Sequence, residues 1–316
     1  MIFPKTKTHN IIYMTLSQLK AYADLAAEAA VKAGQAIMEV YESPETDWEV
    51  ERKADNSPLT LADRKAHAVI CGYLRETPFV FNRRFLAMAE YSSKLELCSF
   101  GLTKTFHILS EEGRHAEYAE RKDVETMWIV DPLDGTKEFL KRNGEFTVNI
   151  ALCHEGSPVV GAIYVPARRQ LYTGIVCADE SEAFRITLGE DFEPVSREKL
   201  PLKDGAAHRM GGGTFVVVAS RSHLSEETEQ FVARMRSEHG DVELRSAGSS
   251  LKICLVAEGE ADVYPRLAPT MEWDTAAGQA VAEAAGCSVT DAESGQPLRY
   301  NKEDLHNPYF IVAPKS

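Results

Sequence analysis

The stretch Trp128-Ile-Val-Asp131-Pro-Leu-Asp134-Gly-Thr136-Lys-Glu-Phe139 constrains this chain more than any other. An apolar run of the kind that forms a buried strand delivers two carboxylates three residues apart. Pro132 stiffens the turn between them. Gly135 permits a backbone conformation that lets amides approach a ligand, and the sequence predicts a helix starting at Thr136. Carboxylates converging at a strand end suit hard divalent cations such as Mg²⁺, which select oxygen ligands. A helix N-terminus beside them suits a phosphate. Taken alone, the same pattern also reads as a solvated D-x-x-D-G turn.

Three further acids occupy comparable places. Ser110-Glu111-Glu112-Gly113 follows the apolar run His107-Ile-Leu109, so Glu111 also lies at a strand end; an exposed acidic turn is the plain alternative. Trp273-Asp274-Thr275 puts an acid at the start of an Ala-rich helix, where an ordinary Asp N-cap looks the same. Asp63 follows Thr60 at capping-box spacing, which by itself makes it a helix-start acid.

Around these points the chain reads as a series of short elements. Ser17 caps a predicted helix over 17–42, with Leu19, Ala23, Ala26, Ala30, Ala33, Ile37 and Val40 at helical spacing. A second helix is predicted over 61–76. Residues 77–107 show no clean period. Thr147–Cys153, Val159–Val165 and Leu171–Val176 read as successive strands with short links, hence an antiparallel sheet. Residues 189–213, charge-rich and ending in three glycines, read as a divider. Beyond it the sequence predicts strands over 214–219 and 261–264. It also predicts a helix from the cap Ser225 to about 238, a short helix over 249–258 and an Ala-rich helix over 275–285. Strands alternating with helices indicate an α/β second half. The expected organisation is an N-terminal half over 14–195 and a C-terminal half over 212–316.

Lys and Arg number 35 and Asp and Glu 48, leaving a net charge of −13. That balance argues against a general nucleic-acid binder, which needs a basic face. It does not argue against a phosphorylated small molecule, because metal ions can supply the positive charge. Six cysteines form no CxxC pair or zinc spacing, and no apolar run approaches the ~20 residues of a membrane span. Both features point to a reduced, cytoplasmic protein with no membrane or protein partner in evidence. Residues 1–13 lack the apolar core and cleavage site of a signal peptide and read as a dispensable extension.

The segments KADNSPLTLAD, LSEEG, WIVDPLDGTKEFLKRNGEFTVNIAL, GSSLKICLVAEGEADVYPR and WDTAAG occur in that order. Together they resemble the lithium-sensitive, magnesium-dependent phosphatase superfamily that includes inositol monophosphatase. Within it, the DGTKEF form and the KRNGEFTVNIAL continuation are similar to the bacterial-type 3'(2'),5'-bisphosphate nucleotidases. The resemblance covers residues 17–315, apart from about 77–107, where this chain is longer than the family pattern.

The resemblance implies an α/β fold of the layered α+β sandwich type, with an antiparallel sheet in the N-terminal half and a smaller α/β C-terminal half. It places metal ligands at Glu111, Asp131, the Leu133 carbonyl, Asp134 and Asp274, holding two or three Mg²⁺ ions. Asp63 and Thr136 match the pair that orients and deprotonates the attacking water. The amides of Gly135 and Thr136 would hold the scissile phosphate. Ser249, Lys252 and Arg266, with His223 as a further candidate, match contacts to the adenosine and to the phosphate that is not cleaved. The implied reaction converts 3'-phosphoadenosine 5'-phosphate to AMP and phosphate, in the clearance of a by-product of sulfate metabolism. The 5'-phosphosulfate analogue is a further expected substrate. Three other readings stay open: an inositol phosphate phosphatase of the same superfamily, a non-catalytic nucleotide sensor, and a haloacid-dehalogenase-type phosphatase. The last needs D-x-D-G-T, whereas the acids here are three apart.

Overall fold

The computed structural model describes residues 14–53, 58–76, 106–178, 180–203, 213–220 and 225–315. The expected nucleotide contact His223 and most of the stretch 77–107 lie outside these residues.

Helix α1 runs over Leu16–Tyr41. Its cap lies two residues before the expected one. Thr15, not Ser17, is the N-cap, because Gln18 at the third helical position closes a capping box with it. A short hairpin, β1 (Glu51–Arg52) and β2 (Pro58–Leu59), leads to α2 over Leu61–Glu76. The two helices pack together and against one face of a sheet.

That sheet has seven strands in sequence order: β3 (His107–Ser110), β4 (Thr126–Asp134), β5 (Thr147–His154), β6 (Ser157–Val165), β7 (Gln170–Ile175), β8 (Glu182–Leu188) and β9 (Pro194–Lys199). Short helices α3 (Tyr118–Arg121) and α4 (Thr136–Leu140) flank β4. β3 pairs parallel to β4, and every later pair is antiparallel. Strand β9 corrects the sequence reading: the stretch expected to be a divider over 189–213 carries the last strand of the sheet. The strand's charged, half-exposed side chains, PVSREK, gave no apolar alternation to read.

The period-2 alternation sorts the sheet's side chains between two cores. Val148, Ile150 and Leu152 join Trp128, Val130 and the alanine face of α1. Ala151 and Cys153 face the other way with Met127 and Ile129, into a core shared with the C-terminal elements. The C-terminal elements begin with β10 (Phe215–Ser220), α5 (Glu226–His239), β11 (Val242–Ala247), α6 (Leu251–Ala257) and β12 (Tyr264–Arg266), of which α5 packs its Phe231, Val232 and Met235 in a separate cluster with Val217, Val242 and Val263. They are followed by α7 (Glu272–Ala284), β13 (Cys287–Asp291) and β14 (Phe310–Pro314). Ser225 caps α5 as expected. β10 and β11 are parallel, β12-β14-β13 form an antiparallel trio, and a bridge from Val217 to Val263 joins the two groups. The strand predicted over 261–264 forms slightly later, over Tyr264–Arg266.

Helix α7 lies directly on β6 and β7. Two glycines allow this approach: a Cβ on Gly161 would lie 2.3 Å from the Ala277 carbonyl oxygen, and one on Gly174 would lie 2.5 Å from Val281 Cα. The first turn of α7 is thereby brought to the end of β4, where the paired acids lie.

Candidate active site

Residues three apart in a regular strand point to opposite faces, so Asp131 and Asp134 would diverge. Strand β4 prevents this with a bulge. Asp131 pairs with Asn149 and Asp134 with Thr147, so β4 spends one more residue than β5 between the two pairs. The extra residue returns both acids to one side. Asp274 approaches from α7. Met271 is the N-cap of that helix, and Asp274, at the third helical position, accepts the Met271 N–H at 2.9 Å. The helix thus starts three residues earlier than predicted, and the plain reading of Asp274 as an N-cap does not hold.

Carboxylate oxygens of Asp131, Asp134 and Asp274 lie within 4.8 Å of one another. Asp131 is 2% exposed. Burial, reinforced by the charges of Glu111, Asp134 and Asp274, holds its carboxyl well above the usual carboxylate range. Burial and then the Asp134 charge push Asp274 up to about 8. Three carboxylates raised or crowded in this way form an all-oxygen donor set that lacks positive charge, and Mg²⁺ fits it.

Glu111 stands beside this trio. The Asp131 carboxyl hydrogen-bonds it, and burial raises its pKa while Lys53 opposes the rise. Lys53 Nζ lies 2.7 Å from Glu111 Oε1 and also pairs with Glu112. Burial works against the ammonium charge, but the Glu111 and Glu112 carboxylates outweigh it and raise Lys53 above the usual lysine range. The Leu133 side chain is buried, which leaves its backbone to face the site; the carbonyl lies 3.4 Å from Thr136 Oγ1.

Gly135 caps α4 with φ +91°, a conformation that strains any residue with a Cβ. It turns Thr136 back toward α2, where Thr136 Oγ1 lies 3.3 Å from Asp63 Oδ1. The other Asp63 oxygen, Oδ2, accepts the Thr60 N–H at 2.7 Å and the Thr60 hydroxyl at 2.5 Å. The carboxyl is thus fixed on one side and presented to Thr136 on the other. Burial pushes Asp63 up to about 6, although both Thr60 bonds hold it down.

A cavity of about 150 Å³ adjoins the acids, with Lys137, Lys252, Tyr264 and Arg266 among its lining residues. Lys252 is 5% exposed, and its ammonium donates to the Ser249 carbonyl at 2.6 Å. Burial lowers its pKa to about 8, opposed by Asp134. Arg266 donates to the Pro269 carbonyl at 3.0 Å, and its Nε is buried without a hydrogen-bond partner. Three cations, Lys137, Lys252 and Arg266, beside Asp134 and Asp274 make the cavity attractive to an anion that also reaches the acids. The Ser249 hydroxyl donates to Asp134 Oδ2 at 2.7 Å.

Sequence reasoning missed Lys53, Asn149, Thr147 and Ser250. The signal for Asn149 was present in Thr147-Val-Asn-Ile-Ala-Leu152: a polar amide within an apolar strand demands buried partners.

The sequence model of the Inositol monophosphatase family matches residues 87–315. The chain is 40% identical over 291 residues to the 3'(2'),5'-bisphosphate nucleotidase CysQ of Escherichia coli (strain K12), covering 92% of this chain and 98% of that protein. The crystal structure of CysQ from Bacteroides thetaiotaomicron, a bacterial member of the inositol monophosphatase family, is 49% identical. Its TM-score is 0.74, with 94% of this chain and 98% of that chain covered. The extragenic suppressor protein suhB of Bartonella henselae, 24% identical, has the same fold, with a TM-score of 0.61 over 93% and 94% of the two chains.

Proposed function

The chain belongs to the inositol monophosphatase family, and we propose that it is a Mg²⁺-dependent 3'(2'),5'-bisphosphate nucleotidase. It hydrolyses 3'-phosphoadenosine 5'-phosphate to AMP and phosphate, and accepts the 5'-phosphosulfate analogue. The observation that carries this reading is the convergence of Asp131, Asp134 and Asp274 beside a cavity lined by Lys252 and Arg266. An ester with one phosphate at the acids and a second at the cations fits that arrangement better than a monophosphate does.

Asp131, Asp134, Asp274 and Glu111, with the Leu133 carbonyl, would hold two or three Mg²⁺ ions. When bound, the ions supply positive charge to the phosphate oxygens and acidify the attacking water. The Gly135 and Thr136 amides orient the scissile phosphate at the start of α4. Thr136 Oγ1 positions the water and passes its proton to Asp63 Oδ1, 3.3 Å away. A base with a pKa of about 6 is ionised at neutral pH and still able to take up a proton. Lys252 and Arg266 bind the phosphate that stays on the nucleotide, and Ser249, which lines the same cavity, contacts the nucleotide beside them. The five described cysteines are free thiols, which fits a cytoplasmic setting.

Initial rates on 3'-phosphoadenosine 5'-phosphate and on inositol 1-phosphate, with Mg²⁺ and with chelator, test the proposal. The expected result is a strong preference for the nucleotide and no turnover without metal. A preference for the inositol ester would replace the substrate assignment with the other phosphatase reading.

A further inference from the structure

Asp134 is held on one side by an unusual set of neighbours. Its Oδ2 lies 2.7 Å from Ser249 Oγ, 3.0 Å from Ser250 Oγ and 3.3 Å from Asn149 Nδ2. The donors are themselves linked. Asn149 Nδ2 donates to Ser250 Oγ at 2.9 Å, and Thr147 Oγ1 donates to Asn149 Oδ1 at 2.9 Å. Thr147 Oγ1 also lies 2.6 Å from Ser249 Oγ, and Ser250 Oγ lies 3.0 Å from the Asp274 carbonyl oxygen.

Thr147, Asn149 and Ser250 are 0%, 1% and 3% exposed. Buried polar groups of this kind are costly unless each finds a partner. Their placement follows from the bulge in β4, which sets Asp131 and Asp134 opposite Asn149 and Thr147 on the same face of β5. Among the described residues, these side-chain donors all meet one oxygen of Asp134, Oδ2, and Oδ1 carries none of them; the carboxylate as a whole lies within 4.8 Å of those of Asp131 and Asp274.

We propose that Asn149 and Ser250 are positioning residues that saturate Asp134 Oδ2 and thereby dedicate Oδ1 to the metal. Ser250 has a single hydroxyl proton to share between Asp134 Oδ2 and the Asp274 carbonyl oxygen, each 3.0 Å from its Oγ, and in sharing it bridges the first turn of α7 to the β4 acid. That link sets the spacing between two ligands that come from distant parts of the chain. The proposal rests on Asp134 being a ligand, as read above.

Direct binding of Mn²⁺ to the full-length chain, followed by the loss of the free-ion electron paramagnetic signal, tests it without any turnover. The Asn149→Ala and Ser250→Ala variants are expected to bind Mn²⁺ about ten- to a hundredfold more weakly, the usual cost of losing an outer-shell partner. Ser250→Thr keeps the hydroxyl and is expected to stay within about threefold of the parent. Equal weakening by Ser250→Ala and Ser250→Thr would mark a packing role and overturn the proposal. So would unchanged Mn²⁺ affinity in Ser250→Ala. If Asn149→Ala does not fold, the Ser250 pair decides alone. Asp134→Asn separates the two levels of the argument. Parental affinity in that variant would remove Asp134 from the ligand set. Lost affinity there, with parental affinity in Ser250→Ala, would leave the ligand and discard the positioning role.

Discussion

Burial and the neighbouring Asp134 charge push the Asp274 carboxyl from 3.8 to about 8, and burial with three other carboxylates raises Asp131 as well. Both shifts have a consequence for stability. An acid whose folded pKa lies above its unfolded value stabilises the fold fully below the unfolded value, and that contribution is lost as pH climbs through the folded one. The metal-free protein is therefore expected to lose melting temperature as pH rises from 5 to 8.5. Mg²⁺ selects the ionised carboxylates, so the gap between metal-loaded and chelated samples should widen over the same range. A chelated melting curve that does not move with pH would contradict the crowding of these acids. Asp63 calls for a different measurement. Asp63→Asn keeps the size of the side chain and removes the proton acceptor, so kcat should fall by roughly 10²–10⁴, while Mn²⁺ affinity changes little. At this scale the acids were legible in the sequence because each ends a strand or opens a helix. Asn149 and Ser250 were not, because their role depends on a bulge that pairs Asp131 with Asn149, and no local spacing encodes a bulge.

Among elements, β5, β6 and β7 were readable because each is buried on both faces and bounded by turn residues. Strands β8, β9 and β11 were not. β9 and β11 carry exposed charged side chains, and Leu244 of β11 is itself 39% exposed, so neither has the apolar run that identifies a core strand. They belong to sheets only because neighbouring strands offer them unpaired backbone. Helix α7 was readable from its alanines, but its first turn was not, since Met271 and Trp273 mask the cap. That turn carries Asp274, and the position of the whole helix depends on the glycines beneath it. Gly174→Ala would place a Cβ 2.5 Å from Val281 Cα and 2.7 Å from the Ala280 carbonyl oxygen. The helix must move to relieve this, at a cost of about 1–3 kcal/mol. Urea unfolding should show that loss, and Mn²⁺ binding should weaken with it although residue 174 is not near the acids in sequence. Weakened stability with parental Mn²⁺ affinity would mean that α7 absorbs the strain without carrying Asp274 along.

Across the whole molecule, the acids that converge come from distant parts of the chain: Asp131 and Asp134 from β4, next to the edge strand β3 of the seven-stranded sheet, Asp274 from a helix that follows the C-terminal strands β10, β11 and β12. In a chain with a net charge of −13 these carboxylates meet against their own repulsion, which the metal-free fold relieves by holding a proton on Asp274 up to about pH 8 and carries in full only above it. Binding a divalent ion at this point relieves the repulsion and joins both cores of the sheet at one place. The effect on unfolding is that of any ligand confined to the folded state. At a hundredfold excess over the dissociation constant the gain is about 2.7 kcal/mol. For a chain of this size that raises the melting temperature by on the order of 5 °C. Differential scanning calorimetry with Mg²⁺ against chelator measures it. At pH 9, above the raised Asp274 value of about 8, Asp274→Asn removes one ligand charge and part of the repulsion together, so this variant should melt higher than the parent in chelator and respond less to Mg²⁺. If instead it melts lower in chelator and retains the full Mg²⁺ response, the ions are held elsewhere, and the meeting of sheet and helix at Asp134 and Asp274 has another purpose.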